Sequence, residues 1–157
     1  MTNTKTRTKT RTIAKINFGE LTNHTGYHIR RSHSTLMRLF ATNCKQFHLK
    51  SQQTSILILT RENSGITPAA IADAIEIERS LMAKLLTDLM KRKFIEARSC
   101  SLDGRQKGLF ITPKGKIFIS QVLEYFSQNL ESGINRNLSE RERLTLIKLL
   151  QKIYENP

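Results

Sequence analysis

From Leu21 to Phe47 apolar residues recur at helical spacing, at Ile29, Leu36, Phe40, Cys44 and Phe47, which predicts a long amphipathic helix. A second helix is predicted from about Ser51 to Glu62, with Ile56, Leu57 and Leu59 on its apolar side and Asn63-Ser64-Gly65 to stop it. Thr67-Pro68 restarts the pattern. Threonine offers an N-cap oxygen and proline fits the first helical position, so a short helix should run to about Ile75. A further helix is expected over roughly 78–93. The period then changes: Phe94 to Arg98 and Gly108 to Thr112 read as two strands, joined by a turn from Leu102 to Lys107. Thr112-Pro113 repeats the cap signal and opens a long helix with Ile119, Val122, Phe126 and Leu130 on one face, ended by Gly133 and Asn135 to Asn137. Ser139-Glu140-Arg141-Glu142 is a capping box for a last helix carrying Leu144, Ile147, Leu150 and Tyr154. No internal repeat is visible. The fold expected is mainly α with a small β-hairpin in the middle of a helical chain.

Within this order, Pro68 to Leu85 has the spacing of a helix-turn-helix. Ile71, Ile75, Ile77, Met82 and Leu85 would lock two short helices at a steep angle, with the small Ala72 where they approach. That frees one face of the second helix, beginning with Arg79, Ser80, Ala83 and Lys84. A helix fits the major groove of B-form DNA, and its first residues meet base edges. Two features depart from the usual pattern: Glu76 stands in the turn where many such motifs have glycine, and Glu76 and Glu78 are acids near a DNA face. A β-hairpin directly after the second helix makes this a winged helix-turn-helix. Arg105, at the tip of the hairpin, can enter a minor groove, whose narrow A·T-rich stretches attract guanidinium. Asp103 can hold that guanidinium by a charge-assisted pair. Arg98 and Lys107, with Lys91 and Arg92, can meet phosphates.

Charge sharpens this reading. The chain of 157 residues has 26 basic and 13 acidic residues, a formal net charge of +13. Residues 1–15 carry +5 and residues 91–116 carry +6, whereas residues 51–90 carry −2. A polyanion is the natural partner of such a distribution. MTNTKTRTKTRT has no apolar residue between Met1 and Ile13 and reads as a flexible basic arm. The expected organisation is an arm over 1–15, an N-terminal helix over 16–50, the winged DNA-binding domain over 51–112 and C-terminal dimerisation helices over 113–157. No apolar run reaches the ~20 residues of a membrane span, and Cys44 and Cys100 make no disulfide framework, so a cytoplasmic location is expected.

IADAIEIERSLMAKLLTDLMKRKFIEARSCSLDGRQKGLFITPKGK resembles the winged-helix core of the multiple-antibiotic-resistance regulator (MarR) family. The wing Asp103-x-Arg105 followed by LFITPKGK is the most specific mark. The resemblance covers about Leu21 to the C-terminus and leaves the basic arm outside. It implies a homodimeric transcription regulator on a pseudo-palindromic double-stranded DNA operator, with Arg79, Ser80 and Lys84 facing bases and Arg105 in the minor groove. Lys84 stands where many members have arginine, and an ammonium lacks the fork that reads guanine in two bonds.

A winged domain of roughly 60 to 70 residues cannot cover the apolar residues of the first and last helices, so a second copy is expected on Leu138, Leu144, Ile147, Leu150 and Tyr154, with Ile117 and Phe118. The family resemblance also implies a small aromatic or phenolic carboxylate effector, or its thioester. His24, His28 and Arg31, with Tyr27 adjacent, are the candidate ligand residues: arginine for a carboxylate, tyrosine and histidine for a phenolic oxygen. No enzyme is expected, because no nucleophile with its base, paired carboxylates or phosphate loop is visible. No cofactor or metal is expected either. His24 and His28, with His33 or His48, have no HExxH, CxxC or carboxylate cluster to complete a metal site. The readings left open are a nonspecific architectural DNA-binding protein, a metal-responsive regulator, and a redox-responsive one using Cys44 or Cys100.

Overall fold

A computed structural model describes residues 16–99 and 107–155. These fall into two units, one reaching Ser34 and one starting at Thr35. In chain order the elements are a 3-10 turn Gly19–Asn23, α1 (Thr25–Asn43), a 3-10 turn Lys45–Phe47, α2 (Ser51–Glu62), α3 (Pro68–Ala74), α4 (Arg79–Lys91), β1 (Ile95–Ser99), β2 (Lys107–Ile111), α5 (Pro113–Tyr125), a π-helical turn Phe126–Glu131, α6 (Ser132–Ile134) and α7 (Glu140–Glu155).

The caps form where side-chain chemistry requires them. Thr67 Oγ1 accepts from the Ala70 N–H at 3.2 Å and Thr112 Oγ1 from the Gly115 N–H at 3.0 Å, each ahead of a proline at the first turn. Ser139 and Glu142 close a capping box: the Ser139 N–H donates to Glu142 Oε2 at 2.8 Å. α2 has its own version, with Gln53 Oε1 accepting the Lys50 N–H at 3.0 Å.

Two expected helices are interrupted. The first was expected to run unbroken to Phe47, but α1 ends at Asn43, and His48 closes the following 3-10 turn in the left-handed region at φ 49°. The break lets Phe47 leave the helical stripe and pack edge-on to Phe118 and Tyr125, at centroid distances of 6.1 and 5.3 Å. The long helix after Pro113 widens into a π turn at Phe126–Glu131. That turn seats Phe126 against Phe40, at 5.4 Å, and buries Leu130 with Phe40 and Cys44 in a small cluster of their own.

The main core joins Ile56 and Leu57 of α2, Ile71 and Ala72 of α3, Met82, Leu85 and Leu89 of α4, and Leu109, Ile119 and Val122 behind the hairpin. β1 and β2 pair antiparallel, Ile95 opposite Ile111 and Ser99 opposite Lys107. Ile66 adds a bridge to Leu109 on the open side of β2, with the Leu109 N–H donating to Ile66 O at 2.9 Å. This bridge anchors the wing to the start of the helix-turn-helix. Phe118, expected at a dimer surface, instead stacks on Phe94 at 4.2 Å with the rings 11° from parallel, because α5 lies on the base of the hairpin. No residue of α7 is buried, and Leu144, Leu146, Ile147, Leu149, Leu150, Ile153 and Tyr154 are exposed.

Candidate nucleic-acid interface

The α3–α4 pair has the geometry its apolar spacing predicts. Ile71, Met82, Leu85, Leu86 and Leu89 point inward, and Ala72, 1 % exposed, lets the helices approach. The turn between them places Glu76 at φ 51°, the left-handed conformation that explains why glycine is favoured there. The Ile77 N–H reaches back to Ala72 O at 3.0 Å and closes the turn.

The other side of α4 is open. Arg79, Ser80, Ala83 and Lys84 are all exposed and lie together on its first two turns. Thr87 continues this face one turn on, its hydroxyl tied to Ala83 O at 2.8 Å, a position the residue spacing did not single out. The side chains of Arg79 and Lys84 have no partner among the described residues. The helix N-terminus adds partial positive charge at the same end.

On the wing, Lys107 is exposed at the start of β2. Arg98, on β1, pairs with Glu96, and its guanidinium carbon lies 4.9 Å from the centre of the Phe110 ring. Its guanidinium thus lies beside Glu96 and the Phe110 ring while its side chain stays largely exposed. Asp103, Arg105 and Cys100 lie outside the described residues.

Arg92 departs furthest from expectation. Its guanidinium does not project toward solvent as a phosphate ligand would. Nη1 donates to His48 O at 2.8 Å and Nη2 to Phe47 O at 2.9 Å, and the group lies 4.7 Å from the centre of the Phe94 ring.

In the N-terminal unit the candidate ligand residues meet only in part. Arg31 Nη1 donates to the Tyr27 hydroxyl at 2.8 Å and lies over the Tyr27 and Phe18 rings. His28 Nε2 stands 2.8 Å from Thr22 O, and its ring meets Tyr27 edge-on at 5.3 Å. His24 precedes α1 in an extended conformation and so does not share a helical face with His28 and Arg31. Phe18, before the first helix signal, was missed. Cys44 is 1 % exposed, and burial pushes its thiol up to about 11, so at neutral pH it is a packed apolar group rather than a reactive thiolate. Among the described residues no three His, Cys, Asp or Glu side chains gather to hold a metal, and no helix is long and apolar enough to cross a membrane.

Residues 49–106 match the model of the MarR family. That segment, which holds the helix-turn-helix and the first strand of the wing, is what the chain has in common with the family. The chain is 26 % identical over 143 residues to a transcriptional regulatory protein for the hcr operon of Thauera aromatica, covering 90 % of this chain and 86 % of that one. The repressor CouR bound to a 23-mer DNA duplex superposes with a TM-score of 0.85 at 23 % identity, over 90 % of this chain and 99 % of that one. CouR bound to p-coumaroyl-CoA superposes at 0.81 and 22 % identity, over 91 % and 100 %. These solved structures share the winged-helix fold of this chain.

Proposed function

We propose that this protein is a homodimeric, sequence-specific repressor of the MarR type, whose two copies of α4 enter successive major grooves of a pseudo-palindromic operator. The observation that carries this reading is the exposed face Arg79–Ser80–Ala83–Lys84 on a helix locked by a closed helix-turn-helix. Arg79 offers a two-pronged donor to guanine, Ser80 a donor-acceptor hydroxyl, Ala83 an apolar contact for a thymine methyl and Lys84 a single charged donor. On the wing, Asp103 orients Arg105 toward the minor groove, Lys107 meets phosphate, and Arg98 exchanges Glu96 for phosphate on binding. A CouR–DNA complex with the same fold supports this use of the elements.

The proposed inducer is a small aromatic or phenolic carboxylate, or its thioester, gripped by Tyr27, His28 and Arg31 with His24 and Phe18 at the margin. The related fold that binds p-coumaroyl-CoA supports that chemical class. Binding shifts DNA affinity only as far as the ligand prefers one spacing of the two winged domains.

Selection from a random duplex pool tests the DNA reading. The selected duplex should be palindromic and bind at least ~1,000-fold tighter than random DNA. Arg79→Ala or Lys84→Ala should narrow that ratio by ~1–3 kcal/mol where either reads a base. Lys107→Ala should weaken all sequences alike and flatten the salt slope by about 1. Near-equal binding of selected and random duplexes would instead identify an architectural protein.

A further inference from the structure

The environment of Arg92 gives it a different task from the basic residues around it. It follows the last residue of α4, yet its side chain bonds to backbone 44 and 45 positions earlier in the chain, at His48 O (2.8 Å) and Phe47 O (2.9 Å). Asp88, one turn back on α4, stands 3.8 Å from Arg92 Nη1. Asp88 Oδ2 also accepts from Gln53 Nε2 at 2.8 Å, and the same Gln53 caps α2 through Lys50. Beneath the guanidinium lie the stacked rings of Phe94 and Phe118, at 4.7 and 5.3 Å. Lys114 Nζ donates to Arg92 O at 3.1 Å from the start of α5.

We propose that Arg92 is a positioning residue for DNA reading: with Asp88 and Gln53 it clasps the C-terminal half of α4 to the 47–53 junction and so sets the angle at which Arg79 and Lys84 are presented. This rests on the DNA-reading assignment of α4 above. Apolar packing by Met82, Leu85 and Leu89 sets how deeply α4 sits, but it is non-directional and tolerates rocking. A planar fork bonded to two carbonyls is directional. α4 is 13 residues, about 20 Å long, so a small tilt at its last turn displaces its first turn by a comparable lever. Lys84 lines the same cleft as His48, Lys50, Gln53 and Asp88, so the Gln53–Asp88 side of the clasp borders one residue of the reading face. Through Phe47 it also joins α4 to the Phe40–Cys44–Leu130 cluster, against which Phe47 packs.

Arg92→Lys and Arg92→Met separate this role from a phosphate contact. Lysine keeps the charge but cannot bond two carbonyls while lying flat on a ring. For a positioning residue both variants should cut the specificity ratio, selected over random duplex, by roughly tenfold or more, the worth of one good base contact, with the salt slope unchanged. For a phosphate contact Arg92→Lys should be nearly silent, and Arg92→Met should weaken both duplexes equally and lower the slope by about 1, which overturns the proposal. A role in stability alone would lower the melting temperature yet leave the selected-over-random ratio unaltered when it is measured well below melting; that result also overturns it. Hydrogen exchange provides a check without DNA. Amides over 47–53 and 84–92 should lose protection together in Arg92→Lys, and unchanged protection removes the clasp. If wild-type protein shows no preference for any duplex, the repressor reading fails, and the exchange result still decides whether the clasp exists.

Discussion

A Cβ placed on Gly115 would stand 2.2 Å from the carbonyl oxygen of Phe94 and 2.9 Å from Ile111 Cγ1. The first turn of α5 therefore lies against the backbone that opens β1, at a separation only glycine permits. Thr112 fixes the approach: its N–H donates to Phe94 O at 3.0 Å, while its hydroxyl donates to Lys93 O at 2.7 Å and accepts the Gly115 N–H. This explains the ITPKGK segment physically. Gly115→Ala should force the helix off the hairpin and destabilise the fold by about 1–3 kcal/mol or more, as overpacking does. Urea unfolding of the variant checks this, and a midpoint unchanged from wild type would show that the contact yields without cost.

Glu76 offers the opposite case. At φ 51° a residue with a Cβ is strained, and glycine is not. Glu76→Gly should raise stability by up to about 1 kcal/mol, a shift of about 2–4 °C in melting temperature. Glu76→Asn tolerates the same backbone and also removes the acid. If both variants tighten DNA binding at low salt while only the melting temperatures differ between them, the carboxylate repels phosphate independently of its strain.

How much of this was legible from residues alone follows the range of the forces. α2 and the caps at Thr67, Thr112 and Ser139 depend on neighbours within four positions, and they form where the sequence places them. The α3–α4 pair was equally readable, since Ile71, Met82 and Leu85 carry their burial in their spacing. The 3-10 break before His48 and the π turn at Phe126 were not, because each is imposed by distant partners: Phe47 by Phe118 and Tyr125, Phe126 by Phe40. The contacts of Arg92 were hidden for the same reason. Within KRK it looks like any surface cation, and only the fold brings the carbonyls of Phe47 and His48 to it.

Cys44 sets an alkaline limit. Its thiol is pushed by burial from 9.0 to about 11. Below pH 9 the thiol is neutral in both folded and unfolded chains, so it contributes no pH dependence. Between pH 9 and 11 the unfolded chain ionises while the folded one does not, and stability falls as pH rises. Two pKa units correspond to about 2–3 kcal/mol by pH 11. Cys44→Ala should flatten this part of the stability profile, measured by denaturant unfolding from pH 8 to 11 in a Cys100→Ser background. The buried thiol should also resist maleimide at pH 7 until the protein is unfolded; rapid labelling of the folded protein would restore the redox reading for this cysteine.

α7 is the place where the single chain is incomplete. Leu144, Ile147, Leu150 and Tyr154 recur at three- and four-residue steps, and they are 46, 40, 37 and 62 % exposed. Leu146, Leu149 and Ile153 widen that stripe beyond the residues whose spacing first suggested it. A helix with no buried residue gains little from its own chain, so its stability must come from what covers it. The Glu140–Arg143 pair, with Nη2 2.6 Å from Oε1, and the capping box hold only its first turn. A second copy is the proposed cover. Ile147→Glu places a charge in the middle of the stripe without touching the winged core. Sedimentation should then report a monomer at concentrations where wild type is a dimer. Affinity for a palindromic duplex should fall far more than affinity for a half-site, because linkage of two half-sites is lost while each α4 face is intact. A variant that stays dimeric, with full palindrome affinity, would move the dimer interface off α7.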